Sequence, residues 1–558
     1  MKWRQILGIA LSVLLVTERS AGQLVPGVDP LLPEGGPVSS VESPERAERA
    51  EQGEFLGKGI GRVVLERPGI AGVAAEHGAL ALGPGVDLPS PATLAAKIAP
   101  YLEDGLWLAE LESIADEILI HYDAEGYPVM LLDVPEQDFS DGAVHIVVEE
   151  GRYGNVGVLP PKYGRRDVLS TGMRLRGGEV IRRGELDRQL AWLGRTAFRT
   201  PRLLVSPGDL PATADVVIVL EEKRPWRVML GYDDGGTRVL GEDRLVAAVT
   251  GMTPGEHVLA WQAVMGTPAR SLQAHSVAWE IPWHQAGQAT ELTASLADVE
   301  VQSLTGGIVT RNQGSSWALG LKQKFWLPSV GRWQQRITSG VDLKSTDQFA
   351  LFGSTAVAPG TVRLLQATFG YGLERTWKGG AASVDLGWVF SPGGLVDGND
   401  DRDFRAYDPL AESGYQIARL DAGAWWELPA DLRLQVRGAA QWSDTRLLPA
   451  EQFAIGGARS VRGADERGVF GDYGWSGSVE LMSPLIQPWD GVGFRFLGFV
   501  DHGWVGLHRT GGTGASSATS TGLGLRLGWS ETVDFRLDHG WRLDEGGGQS
   551  HFAIRWIY

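Results

Sequence analysis

The sequence predicts a closed transmembrane β-barrel of about 16 antiparallel strands, preceded by two small α+β domains. Three observations carry this expectation. The C-terminal stretch His551-Phe552-Ala553-Ile554-Arg555-Trp556-Ile557-Tyr558 alternates strictly, with Phe552, Ile554, Trp556 and Tyr558 on one face and His551, Ala553 and Arg555 on the other. A period of two is a β-strand with one greasy side. Similar alternation recurs from Pro225 to the end, and beyond residue 22 no apolar run approaches the roughly 20 residues of a membrane helix. A chain that crosses lipid without helices must close its sheet, because only closure pairs every backbone N–H and C=O.

Taken in order, residues 1–22 read as a cleavable export signal: Met1-Lys2-Trp3-Arg4, an apolar run from Ile6 to Val16, then Ser20-Ala21-Gly22. Export together with a terminal aromatic strand points to the outer membrane of a Gram-negative cell. Residues 23–62 form a linker rich in Pro, Gly and Glu with one helical island. There Ser43-Pro44-Glu45 supplies an N-cap followed by Pro at the first helical position, and Glu42/Arg46 and Glu45/Arg49 add i,i+4 pairs. This helix, at about residues 43–52, is polar on nearly every side, so it is either a solvated linker or a plug in a wet cavity.

Residues 63–152 read as a compact α+β unit. Ser90-Pro91 opens a helix carrying Leu94, Ile98, Tyr101 and Leu102, and Asp104-Gly105 stops it. A second helix places Leu111, Ile114, Ala115, Ile118, Leu119 and Tyr122 on one face and ends at Gly126. Strands follow near 128–134 and 144–149. Residues 153–225 form a smaller unit with a strand near Val156, a helix bearing Leu186, Leu190 and Leu193, and strands at Leu203–Val205 and Val216–Leu220.

Residues 226–558 supply the barrel. Leu432, Leu434 and Val436 interleave with Arg433, Gln435 and Arg437; Leu523, Leu525, Leu527 and Trp529 with Gly524, Arg526 and Gly528; Val533, Phe535 and Leu537 with Asp534, Arg536 and Asp538. Apolar outside and polar inside is the pattern of a wall between outer-membrane lipid and a wet lumen. The 21 tryptophans suit interfacial girdles and the 76 glycines suit turns and curved strands. A net charge of −17 argues against nucleic acid as a partner. The absence of cysteine excludes disulfides and thiolate metal sites, and no cofactor or metal site is expected. No catalytic signature emerges: the ten histidines are scattered, and no HExxH, nucleophile elbow or phosphate loop is present. Glu221-Glu222 and Asp233-Asp234, read as lying near the domain–barrel junction, are adjacent carboxylates that a strand would point to opposite faces.

The two soluble units resemble polypeptide-transport-associated (POTRA) domains. The residues that carry the likeness are Tyr122-Asp123-Ala124-Glu125-Gly126-Tyr127, Pro135-Glu136-Gln137-Asp138, Asp141-Gly142 and Val147-Val148-Glu149-Glu150-Gly151. That series is similar to the first such domain of two-partner secretion transporters, the TpsB (ShlB/FhaC/HecB) branch of the Omp85 superfamily. In the barrel, Phe453-Ala454-Ile455-Gly456-Gly457-Ala458-Arg459-Ser460-Val461-Arg462-Gly463 resembles the superfamily's signature on the sixth extracellular loop. Gly498-Phe499-Val500-Asp501-His502-Gly503 resembles the partner motif on a nearby strand. Five strand-like segments follow the loop, near 478–486, 493–503, 520–529, 531–540 and 550–558, as a sixteen-stranded member requires. The chain departs from the family at Ala464, where Tyr or Phe is usual, and at Tyr558, where Phe is commonest.

The resemblance implies a pore that exports a large partner protein, hemolysin- or adhesin-like and β-helical, from periplasm to cell surface. It also implies contact with the barrel-assembly machinery during biogenesis, through Phe552, Ile554, Trp556 and Tyr558. Within the superfamily the alternative is a barrel-assembly factor; from another class it is a passive porin. The transport-loop positions are Gly456, Gly457, Val461, Arg462 and Gly463, and the wall positions are Gly498, Phe499, Asp501 and Gly503. Arg495 and Asp501 share the inward parity of their strand, so Asp501 can meet a guanidinium brought in by the loop. By the residues alone, an Arg in a solvated loop and an unrelated Asp lining the lumen is the favoured account; the pairing comes with the resemblance. The helix Gly184–Gly194 and its neighbouring strands are the expected client-contact surface.

Overall fold

The computed structural model describes residues 55–558 except 104, 238–240, 270, 306–307, 353–354, 510–511 and 531. The expected signal at 1–22 and the helix at 43–52 lie outside the described residues.

The first domain is a five-stranded sheet in the order Ala75–His77, Leu80–Leu82, Arg62–Glu66, Ala143–Glu150, Met130–Asp133. Helices Pro91–Ile98 and Leu108–Ala124 cover one face, and Leu94, Ile98, Ile114, Ile118 and Tyr122 meet Val63, Leu65, Val144 and Ile146 in one core. The second helix starts where Glu110 accepts a hydrogen bond from the Trp107 N–H (2.8 Å), which satisfies an otherwise orphaned donor. The domain begins earlier than the sequence reading placed it. Phe55–Gly57 pairs with Leu106–Trp107, and Ile60 is buried in the core, although both fall in the expected linker. A three-residue strand is too short to show a period.

The Pro135–Asp138 motif has a definite structural role. Past the end of strand Met130–Asp133, the Gln137 side-chain amide continues the ladder, donating to the His145 carbonyl (2.8 Å) and accepting its N–H (2.7 Å). His145 in turn holds Glu66 through Nδ1 (3.0 Å) and Asp141 through Nε2 (2.9 Å).

The second domain is a three-stranded sheet, Arg152–Val158, Thr213–Glu222, Arg199–Pro207, with helices Arg166–Thr171 and Arg183–Leu193. Arg199–Pro207 is an edge strand, and Leu204 and Val205 are exposed on it. Helix Arg183–Leu193 docks on the barrel. Ser329 donates to Asp187 (2.8 Å), and Trp192 meets Trp326 edge-on with centroids 5.2 Å apart. Beside it, Glu256, on a barrel turn, takes a hydrogen bond from Arg195 (2.8 Å) and another from Arg199. Lys324 lies between Glu280 (3.1 Å) and Glu291 (2.7 Å). These charged groups are buried, and each is neutralised by a partner, as burial requires.

The barrel begins with β1 (Trp226–Asp233), β2 (Arg244–Met252), β3 (Val258–Gly266) and β4 (Leu272–Trp283). Next come β5 (Gln288–Thr305), β6 (Ile308–Val330), β7 (Trp333–Phe352) and β8 (Thr355–Trp377). β9 (Gly380–Pro392), β10 (Gly414–Glu427) and β11 (Arg433–Ser443) lead to a long loop. Five strands follow that loop: β12 (Tyr473–Met482, resumed at Ile486–Trp489), β13 (Val492–Arg509), β14 (Gly512–Trp529), β15 (Val533–Arg542) and β16 (Gly548–Ile557). Among the described residues these sixteen strands close as one antiparallel barrel, β1 pairing with β16. Leu230, Leu319, Val500 and Leu523 lie exposed outside, while Gln262, Asp342, Gln366, Arg526 and Asp538 are buried inside.

Two features differ from the sequence reading. The lumen is not polar throughout. At the end far from the domains, helix Asp401–Tyr407 and segment 447–450 fold inward, and Phe404, Ala411, Leu447 and Leu448 pack on Val299, Leu364 and Ile417. Strand alternation records only the wall, so apolar loops folded into the lumen leave no trace in it. Asp233 and Asp234 also lie at the far end of β1, not at the domain junction, because the first strand carries the chain across the barrel before reaching them.

Burial opposes a charge on His145, but its hydrogen bonds to Asp141 and Glu66 outweigh that and raise its pKa above the ordinary 6.5. The Asp141 carboxyl is lowered from 3.8, chiefly by His145. A raised imidazole pKa stabilises fully below 6.5 and is lost as pH rises through the folded value; the lowered Asp141 adds stability above 3.8 that is lost on acidification. Amide exchange in strand Ala143–Glu150, corrected for intrinsic rates, should therefore be faster in His145→Gln than in wild type at about pH 6, with the difference shrinking by about pH 8.5.

Candidate functional site

The loop between β11 and β12 turns back into the lumen. A short hairpin, Phe453–Ile455 with Val469–Gly471, forms its stem, and residues 456–468 form its tip. Two glycines make the tip possible. Gly457 has φ +92° and faces the Glu466 carboxylate with no room for a Cβ. Gly463 has φ +87°, and a Cβ there would lie 2.5 Å from the Gly540 carbonyl on β15. Gly540 reciprocates, since its own Cβ would lie 2.6 Å from the Arg462 carbonyl oxygen. Backbone thus touches backbone between loop and wall, a contact that any side chain would prevent.

This approach delivers Arg462, 1 % exposed, into a cluster of buried carboxylates. Its Nε and Nη2 donate to the two oxygens of Asp501, each at 2.7 Å, and its backbone N–H reaches Oδ2 at 3.1 Å. Nη2 also donates to Ser478 (3.0 Å), and Nη1 lies 2.7 Å from Glu480 and 3.8 Å from Asp538. The guanidinium sits 3.4 Å from the centre of the Phe499 ring. Burial works against the charge, yet the hydrogen bonds to Asp501 and the charges of Glu480 and Asp538 keep this guanidinium protonated beyond its usual range.

Further pairs surround it. Arg437 donates to Glu480 (2.6 Å), while Arg526 (2.7 Å) and Arg536 (2.6 Å) donate to Asp538. Arg536 also holds the Ala458 carbonyl of the loop (2.8 Å). The register of β12 on β13 makes the convergence possible: Ser478 stands opposite Asp501, and Glu480 opposite Phe499.

Of the expected wall positions, Phe499, Asp501 and Gly503 face the loop, and a Cβ on Gly503 would lie 3.0 Å from the methyls of Ile455 and Val461. Val461 is buried with Ile455, Val505 and Ala518. Gly498 has the opposite parity, and a Cβ on it would meet nothing closer than 3.9 Å, so it takes no part in this contact. Gly456 lies at the stem–tip corner, where its N–H donates to Ser460 (2.8 Å). At Ala464 the carbonyl accepts from the Gly457 N–H (3.1 Å). On β16, Ile554, Trp556 and Tyr558 lie exposed on the outer face, Trp556 stacks on Tyr558 (5.8 Å), and Phe552 lies 5.5 Å from Tyr232 of β1.

Glu480, Asp538, Arg437, Arg526, Arg536, Ser478, Gly540 and His551 also belong to the site, although the sequence motifs do not single them out. Inward parity was a signal for several of them, but only strand register shows which of many inward groups meet.

A family profile described as haemolysin secretion/activation protein ShlB/FhaC/HecB matches residues 213–527, more than half of the chain. The chain belongs to this family. A second profile, the ShlB-type POTRA domain, matches residues 84–151. The outer membrane transporter CdiB of Escherichia coli O6:K15:H31 (strain 536 / UPEC) is 24 % identical over 446 residues, which cover 76 % of this chain and 73 % of the relative. Among solved structures, CdiB from Escherichia coli superimposes with a TM-score of 0.71 at 17 % identity, and CdiB from Acinetobacter baumannii with 0.65 at 16 %; each alignment covers 94 % of both chains. This family member is thus an outer-membrane transporter of two-partner secretion, exporting a partner protein through its barrel with its N-terminal domains in the periplasm. The far end of the barrel is the cell-surface end, and the assembly-factor and porin readings give way.

Asp538 accepts from two arginines and faces a third, so Asp538→Asn leaves buried guanidinium groups without their counter-charge. The folded barrel, followed by its gel shift without boiling against urea concentration, should lose about 3–5 kcal/mol.

Proposed function

We propose that the seated loop is the working part of this transporter. The Arg462–Asp501 pair pins the loop in the pore and holds the conformation competent for export. The observation that carries this is a fully buried guanidinium, matched bidentately by a carboxylate from a strand 39 residues further along the chain. A structural tether alone could use apolar contacts at less desolvation cost, whereas a charged anchor comes out into water readily once its partners separate.

The partner is a large, hemolysin- or adhesin-like protein with a β-helical fold, and its folding at the surface supplies the driving force. Residues 1–22 serve as the export signal and the segment up to the first domain as a linker. The client is caught by the second domain. Helix Arg183–Leu193 is taken up by the barrel through Asp187 and Trp192, which leaves the free edge Arg199–Pro207 as the surface that adds an extended client strand. Outer-membrane lipid surrounds the apolar face, and Phe552, Ile554, Trp556 and Tyr558 address the barrel to the assembly machinery.

Arg462→Ala should reduce the amount of partner in the medium by about tenfold or more at equal barrel levels in the outer membrane, because the carboxylates it leaves behind are buried. Arg462→Lys should not restore export, since an ammonium cannot bind Asp501 through two parallel hydrogen bonds. Undiminished export by Arg462→Ala would refute the role given to the loop.

A further inference from the structure

The two edges that close the barrel meet over a short ladder. β1 pairs with β16 from Met229 opposite Ile557 to Asp233 opposite Ala553, whereas β13 and β14 pair along nearly their whole lengths. Where this seam ends on the cell-surface side, Asp234 takes over. Its N–H donates to the Phe552 carbonyl (3.3 Å), and its Oδ1 accepts the Phe552 N–H (3.0 Å). Its other oxygen lies 3.4 Å from Nδ1 of His551, which is 1 % exposed; the two groups are in electrostatic contact without the alignment of a hydrogen bond.

The second ring nitrogen of His551 points the opposite way. Nε2 accepts the backbone N–H of Gly463, at 3.2 Å, next to Arg462 in the loop tip. An amide nitrogen can only donate, so Nε2 carries its lone pair and the imidazole proton sits on Nδ1, facing Asp234. The order carboxylate, imidazole, backbone amide therefore joins three segments remote in sequence: the first strand, the last strand and the loop tip. Two glycines make it possible, because Gly463 and Gly540 bring the tip backbone onto the wall beside β16.

The Arg462 cluster does not need this contact. Arg462 is matched by Ser478, Glu480 and Asp501 on β12 and β13, with Asp538 of β15 further away. His551 ties the tip to a strand of the closing seam and faces a partner on the other side of that seam.

We propose that Asp234 and His551 are positioning residues that latch the seated loop to the shut seam. Separating β1 from β16 withdraws the carboxylate that favours a proton on Nδ1 of His551, and Gly463 then has a less well held acceptor. By linkage, unseating the loop loosens the seam to the same degree. The inference rests on the seated loop alone and not on what the barrel exports.

The test is limited trypsin digestion of the full-length protein in outer-membrane vesicles, scoring cleavage at Arg459, Arg462 and Arg467. Barrel integrity is read in parallel from the gel shift without boiling. Asp234→Asn and His551→Phe should each accelerate loop cleavage about tenfold or more while the barrel stays folded, as expected when a buried polar contact to the tip is weakened or removed. The double variant should be cut no faster than the faster single variant, because the two act in series. His551→Gln, which keeps an acceptor for Gly463 and a donor for Asp234, should restore protection. Leu230→Ala, on the lipid face of the same seam, should leave the loop as protected as in wild type. If either Asp234→Asn or His551→Phe leaves the loop protected, or if their effects add, the latch is refuted. Should His551→Phe fail to insert, Asp234→Asn decides, since asparagine still accepts the Phe552 N–H.

Discussion

A guanidinium taken out of water must be neutralised and its donors matched, or a desolvation cost of several kcal/mol goes unrecovered. Arg462 meets that demand with groups that arrive from different directions. Asp501 binds it through two oxygens, Ser478 and Glu480 come from the neighbouring strand, and Phe499 supplies a ring face. The carboxylates would repel one another if left alone, so Arg437, Arg526 and Arg536 separate them. Four guanidinium groups and three carboxylates thus form one lattice spanning β11 to β15 and the loop. The glycines of loop and wall follow from the same demand, because the loop cannot bring its charge this deep unless its backbone rests directly on β15.

The lumen is divided between two kinds of chemistry. Toward the cell surface, loop segments bury an apolar core against Val299, Leu364 and Ile417, with Asp472 accepting hydrogen bonds from Leu447 (3.0 Å) and His508 (2.7 Å) at its border. Toward the periplasm, the junction holds buried ion pairs around Glu256 and Lys324. Apolar packing is non-directional and tolerates sliding, whereas a buried ion pair keeps its geometry or loses most of its worth. The cell-surface end therefore suits a closure that must part, and the periplasmic end suits a joint that must hold.

How much of this was legible in the sequence depends on what each pattern encodes. Period-two alternation reported the wall directly, and the five strands after the loop appear as read because each is long enough to show its parity. Arg462 and Asp501 were placed through motif resemblance, and inward parity alone made the pairing admissible. Glu480, Asp538 and His551 have the same parity as many other residues; their convergence depends on register and on barrel closure, which no single strand carries. The apolar core inside the lumen was invisible because Phe404 and Leu447 belong to loops without periodicity. Phe55–Gly57 falls in the expected linker because three residues cannot display a repeat, and Asp234 lies away from the expected domain junction because β1 carries the chain across the barrel before reaching it.

One strand of the second domain has an unusual double membership. Arg199, at its start, is buried against Glu256 of the barrel, while Leu204 and Val205, a few residues on, lie along an open edge. A strand is stiff over that distance, so the open edge inherits its bearing from the buried end. The domain is accordingly a mount and not an arm: whatever is laid along that edge arrives already aimed, and its approach to the pore is settled by the joint before any translocation begins.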